Sequence, residues 1–212
     1  MKWPELLRLL GRTDWFDASM LLAGPDSPPE VRRQLSRWTA SGRLIQLRRG
    51  LYALAPPFAR TPPNVLALAS RIRKPSYVSL QSALSFHGVT PESTPIVTSV
   101  TTGRPGRFDN PLGQFLYRHV SRSLFWGYQE ADVGDGARGY VALPEKALLD
   151  LFHLTPGAIG SPFIRELRLA PDALDARRMQ QFARRAARPK LTRAAAVTIR
   201  ILEEEKKGEK RM

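Results

Sequence analysis

The chain contains no cysteine. Disulfides and thiolate metal sites are therefore excluded, and stability must come from a packed core. Histidine is scarce as well. His87, His119 and His153 stand far apart without paired ligand spacing, so neither a metal site nor a cofactor is expected. No uninterrupted apolar run reaches the roughly 20 residues that span a bilayer, and no membrane partner is expected. The opening MKWPELLRLLGR is too short and too interrupted by charge for a secretory signal, so a cytoplasmic location is expected. Nucleophile-elbow and phosphate-loop motifs are missing too. TTGRPG comes nearest but lacks the Lys-Ser/Thr ending, and it reads as a turn. Acidic residues are the last deficit: 19 against 33 lysines and arginines, a net charge of +14 over 212 residues.

Hydrophobic residues make up 42% of the chain, enough for a core of one or two domains. The charge is unevenly spread. Residues 1–60 carry a net +5, residues 61–160 a net +2 and residues 161–212 a net +7. A polyanion would meet the two ends first, which points to nucleic acid as the partner.

The first 55 residues have a recognisable grammar. Pro4 opens a helix whose leucines end at Gly11, and a second short helix is expected from an Asp17 cap to Ala23. Ser27-Pro28-Pro29-Glu30 fits a capping box opening a third helix that runs to about Ser41. On that helix Val31, Leu35 and Trp38 share one face, while Arg33, Ser36 and Arg37 face the other way, with Arg32 on a flank. Taken alone, this is what any solvated helix face carries. Next comes a hairpin, with Ile45 and Leu47 alternating before the turn and Tyr52 and Leu54 after it. Arg48-Arg49-Gly50 forms the tip, which would set two guanidinium groups side by side. Three helices followed by a hairpin predict a winged helix-turn-helix, in which the third helix enters the DNA major groove. Arg33, Ser36 and Arg37 are the candidates for base edges, and Arg32, Arg43, Arg48 and Arg49 for phosphates.

A stiff proline-rich linker follows over 56–63, and a second domain over 64–212. Asn64 caps an expected helix to Ile72, and Ser79 another to Phe86. Strands are expected at Tyr77–Val78, Ile96–Thr102, Gln114–Val120, Leu124–Tyr128 and Gly139–Ala142. In the third of these, Phe115, Tyr117 and His119 share a side. Pro144 opens a helix expected to bury Ala147, Leu148, Leu151 and Phe152. Helices follow at about 161–168, 173–187 and 191–205. The fold class expected is α+β: a winged helix, then a mixed domain ending in basic helices. Glu145, Lys146 and Asp150 could suggest a nuclease. A first-turn carboxylate and an i,i+4 pair explain them more simply, and no enzymatic activity is expected.

Several stretches, in order, resemble one family. They are RQLSRWTASGRLIQLRRGLYAL, PSYVSLQSALSFHGVTPE, VTTGRPGRF, GQFLYRHVSRSLFWGY, VALPEKALLDLFHL and FIRELRL. Together they resemble the AbiE-type abortive-infection antitoxins of bacterial toxin–antitoxin systems, over about residues 30–205. The resemblance implies a winged helix that binds inverted repeats in double-stranded DNA of the gene's own promoter. It further implies a second domain that counters a nucleotidyltransferase-like toxin, with or without direct contact, and it supplies no catalytic residue. Arg165, Arg168, Arg184, Arg185 and Lys190 form the basic surface that would serve this second role. The alternative is a plain winged-helix regulator whose second domain senses a ligand or oligomerises.

Overall fold

Val31, Leu35 and Trp38 recur at helical spacing, and burying them fixes how the third helix sits. The computed structural model describes residues 1–11, 13–59 and 63–209. Its first elements are α1 (Trp3–Leu10), β1 (Trp15–Asp17), α2 (Ser19–Leu22), α3 (Pro28–Ala40), β2 (Leu44–Arg48) and β3 (Leu51–Leu54). The three strands form an antiparallel sheet in the order β1-β3-β2. Val31, Leu35 and Trp38 are buried as expected, together with Leu6, Phe16 and Leu21. Trp3 stands edge-on to Trp38 at 5.2 Å and to Phe58 at 4.9 Å, closing this core.

Three local features differ from expectation. The second helix is shorter than predicted, because Asp17 belongs to β1 and accepts the Ser19 N–H at 3.0 Å from outside the helix. The Ser27 capping box is not made. Ser27 is the N-cap residue but its side chain makes no cap hydrogen bond, and Glu30 pairs with Arg33 one turn on. The hairpin does not alternate evenly either. A register shift between Gln46 and Arg48 brings Leu44 and Leu47 inward, with Leu51, Ala53 and Leu54 buried across from them.

The second unit begins with α4 (Val65–Ile72), which Asn64 caps as expected: its Oδ1 accepts the Leu66 N–H at 2.9 Å. Then come β4 (Ser76–Val78), α5 (Leu80–Phe86), β5 (Ile96–Thr101), β6 (Gly106–Asn110) and β7 (Gly113–His119). A 3₁₀ turn at Arg122–Leu124 leads to β8 (Tyr128–Asp132) and β9 (Arg138–Ala142). Helices α6 (Pro144–Leu154), α7 (Ser161–Glu166), α8 (Ala176–Ala186) and α9 (Pro189–Glu209) complete the described chain. Among the described residues the sheet order is β6-β7-β5-β4-β9-β8, parallel at β7-β5 and β4-β9 and antiparallel elsewhere. Helix α4 packs on this sheet, α5 on β5 and α6, and α8 and α9 on α6. The fold is α+β.

Two strand expectations also change. The segment expected as a strand over 124–128 is mostly turn, because Gly127 adopts φ 74° and strand geometry resumes only at Tyr128. That glycine is required for space as well: a β-carbon there would stand 3.0 Å from the Lys146 side chain. Phe115 and Tyr117 are buried, but His119 at the strand end is exposed, its ring nitrogen 2.9 Å from the Gly103 carbonyl oxygen.

Helix α6 departs furthest from expectation. It is buried from Glu145 through Phe152, not along one face, because α5, α8 and α9 enclose it. Lys146 and Asp150 are each 2% exposed and ion-paired inside the core. The Lys146 ammonium also donates to Tyr77 Oη at 2.9 Å. Asp150 Oδ2 accepts from Tyr77 Oη at 3.0 Å and Ser79 Oγ at 2.8 Å. Ser79 thus spends its hydroxyl on this network, not on capping α5. Burial pushes Lys146 down and Asp150 up, and each charge opposes the shift of its partner. Glu145, also buried, accepts from Arg178 Nε at 2.7 Å and from the Asp175 N–H at 2.8 Å, tying α8 to α6.

The two hydrophobic clusters do not divide at the linker. Leu47, Leu51 and Ala53 of the hairpin belong to the core of the second unit. The Asn110 amide donates to the Leu47 carbonyl at 3.2 Å, and the Arg71 guanidinium lies 4.7 Å from the Trp15 ring. Residues 60–62 of the predicted linker lie outside the described residues.

Removing one member of the buried pair strands the other. Lys146→Met or Asp150→Leu alone is expected to cost about 3–5 kcal/mol, and the two together much less. Additive losses in a denaturant double-mutant cycle would contradict this. Leu47→Ala should cost about 2–5 kcal/mol in the full chain, because the cavity opens in the shared core. A loss within error of zero would show that the hairpin is not anchored there.

Candidate nucleic-acid interface

The anchored face of α3 dictates what its other face shows. With Val31, Leu35 and Trp38 inside, Arg32, Arg33, Ser36 and Arg37 are all exposed. Arg33 carries one local partner, Glu30, in a pair open to solvent on both sides. Such a pair is weak and exchanges readily for a phosphate or a base edge. Arg43 follows the helix and lies 5.5 Å over the Trp3 ring.

The hairpin tip separates its two arginines. Gly50 takes φ 82°, and its carbonyl accepts the Ala18 N–H at 2.8 Å, which ties the turn to α2. Arg48 folds back along the hairpin: Nη1 donates to the Arg49 carbonyl at 2.8 Å, and Nη2 lies 3.6 Å from Asp17 Oδ2. The Ser19 amide holds the Asp17 carboxyl below its usual range, with help from Arg48 and Lys74. Arg49 alone is exposed at the tip. The expected pair of outward guanidinium groups is thus one outward group and one held partly against the fold.

The C-terminal candidates also divide. Arg165 is paired with Glu204 at 2.8 Å, and the Lys190 ammonium donates to the Thr155 carbonyl. Arg168 is exposed just beyond α7, in a left-handed conformation at φ 47°. Arg184 and Arg185 are exposed in the last turn of α8, and Arg185 lies 4.3 Å over the Trp126 ring. Trp126 is also set edge-on to Phe182 at 5.1 Å, with Lys146 beneath it at 5.2 Å. Sequence reasoning did not single out this tryptophan, since its partners come from α6 and α8.

The three histidines remain apart. His87 Nε2 lies 2.8 Å from the Ala142 carbonyl oxygen, and burial holds the half-buried His153 below its ordinary pKa. Among the described residues, no group of three or more acidic or histidine side chains stands where it could hold a metal ion. No helix among them is long and apolar enough to cross a membrane. Glu145 and Asp150 are buried and fully engaged by the contacts given above, so neither carboxylate faces solvent.

No protein-family model matches the chain, and no curated protein matches it. A solved structure does. The chain is similar to the crystal structure of the RV2827C protein from Mycobacterium tuberculosis, with a TM-score of 0.53 and 15% sequence identity. The match covers 92% of this chain and 80% of that one. At this identity the likeness is one of fold, and it extends through both units.

Proposed function

We propose that the protein is a DNA-binding autorepressor that also serves as the antitoxin of a toxin–antitoxin operon. One observation carries the DNA half. A helix held by three buried apolar side chains turns Arg32, Arg33, Ser36 and Arg37 to solvent, beside a three-stranded sheet whose hairpin tip presents Arg49. The order helix, strand, helix, helix, strand, strand is compatible with a winged helix, α3 being the helix for the major groove. Arg33, Ser36 and Arg37 then meet base edges, arginine pairing most readily with guanine. Arg32, Arg43, Arg48 and Arg49 meet phosphates, Arg48 after giving up Asp17.

The antitoxin half rests on the likeness to the AbiE-type family and on the sites of its motifs. The stretches PSYVSL and PEKALLD supply Tyr77 and Ser79, and Lys146 and Asp150, to one buried network. The partner is a nucleotidyltransferase-like toxin encoded beside this gene, countered directly or functionally. On the basic helical end, Arg168, Arg184 and Arg185 are exposed for this role, while Arg165 and Lys190 would first leave Glu204 and Thr155.

A second reading has its own observation. A cleft of about 410 Å³ between the units is lined by Trp15, Asn64, Arg71, Asp135 and Arg138, with room for a small polar ligand. A plain regulator would use such a cleft to sense an effector.

Arg33→Ala with Arg37→Ala is expected to abolish preference for the gene's own promoter over mixed-sequence DNA in a mobility-shift titration. Arg49→Ala should instead weaken binding to every duplex and flatten the salt slope by about one unit. Co-expression with the adjacent gene tests the antitoxin half: growth is arrested by that gene alone and restored by this protein. Absence of both arrest and rescue, with promoter binding that changes on adding a small molecule, would favour the plain regulator.

A further inference from the structure

The second unit carries a cation that the proposal above leaves unused. Arg73 directly follows α4. Its backbone N–H donates to the Ala69 carbonyl at 3.4 Å, and its own carbonyl accepts from Ser76 Oγ at 2.6 Å, so its backbone is pinned. Its guanidinium lies 5.1 Å over the Phe108 ring and 5.8 Å from that of Tyr117. Tyr117 is itself fixed, buried with its hydroxyl donating to Ala69 O at 2.6 Å. Among the described residues no carboxylate is paired with Arg73, and its Nε is buried without a hydrogen-bond partner. A half-buried unpaired charge is costly. Held against two rings, it presents a preset fork of donors that matches two oxygens of a phosphate.

The TTGRPG turn lies within ordinary contact distance of that guanidinium. A β-carbon on Gly106 would stand 3.5 Å from Nη2, and one on Gly103 3.9 Å from Nη1. Arg104 at this turn and Lys74 beside Arg73 are exposed, with no ion pair among the described residues. Arg107, next along β6, is bonded to both oxygens of Asp109 at 3.0 Å in a pair open to solvent.

This cluster adjoins the hairpin. Strand β6 packs beside β2, and Asn110 bonds the Leu47 carbonyl. Arg73 and Arg48 both act on the Tyr117 phenol, opposing the rise that burial imposes. Lys74 and Arg48 both act on Asp17. We propose that Arg73, Lys74 and Arg104 continue the hairpin's phosphate-contacting surface onto the second unit, so that a duplex seated on α3 is held along its backbone by both units. This rests on the DNA-binding reading, and it places part of the DNA interface beyond the N-terminal unit.

The test compares full-length wild type, Lys74→Ala/Arg104→Ala and Arg73→Gln on promoter and mixed-sequence duplexes at several salt concentrations. Circular dichroism melts serve as the folding control. The double variant should weaken both duplexes at least tenfold and make the salt slope shallower by about two units, with promoter preference kept. Arg73→Gln should shift the slope by about one unit. If Arg73→Gln fails to fold, the double variant decides alone, since both its side chains are exposed. Unchanged slopes beside a loss of promoter preference in Arg33→Ala/Arg37→Ala overturn this extension and leave the DNA-binding reading standing. A wild-type chain that binds no duplex overturns both.

Discussion

A lysine and an aspartate, four residues apart and both out of water, govern the second unit. The Lys146–Asp150 pair is tolerable only because Tyr77 and Ser79 supply the remaining hydrogen bonds. Those two side chains come from β4 and the entry to α5, so satisfying the pair locks α6 to the middle of the sheet. Gly127 gives way to the lysine stem, and Trp126 covers it. Arg185 then lies on the outer side of that tryptophan. A surface arginine of the basic end is thereby placed by a charge buried beneath it.

Glu145 extends the same logic by one residue. Its buried carboxylate takes the Arg178 guanidinium and the Asp175 amide, fixing the start of α8. The exposed arginines of the last turn of α8 follow from that anchor. A protein with a net charge of +14 thus spends some cations inside on structure and leaves others outside unpaired. Exposed cations without an ion pair among the described residues include Arg32 and Arg37 on α3, Arg49 at the hairpin tip, Arg104 at the Gly103–Gly106 turn and Arg184 at the end of α8. Coulomb repulsion among such cations would be relieved against a polyanion.

The hairpin joins the two halves. Of its inward leucines, Leu47 and Leu51 lie in the larger core and Leu44 and Leu54 in the smaller, and its neighbour β6 carries the ring that Arg73 covers. A hairpin anchored this way cannot reorient without disturbing the second unit. This links the angle of α3 to the integrity of the whole chain, which a flexible tether between independent modules would not do.

Much of this was legible in one dimension. Helix α3, its buried face and its outward arginines follow from spacing alone, because a helix three or four turns long with three large apolar groups has one way to lie down. The Asn64 cap and most strands were equally readable, since each depends on neighbours in sequence. The short β1, the register shift in the hairpin and the turn at Gly127 were not, because they respond to partners far along the chain. The basic excess, the α+β class and the solvent face of α3 were readable before any fold was known, because all are properties of composition and local period. That Lys146 and Asp150 are core residues, that Arg48 is partly held by Asp17 and that Arg73 has no carboxylate partner among the described residues emerges only from the packing. Those facts depend on which distant side chains supply or withhold a counter-charge, and an i,i+4 pattern reads the same in water as in a protein interior.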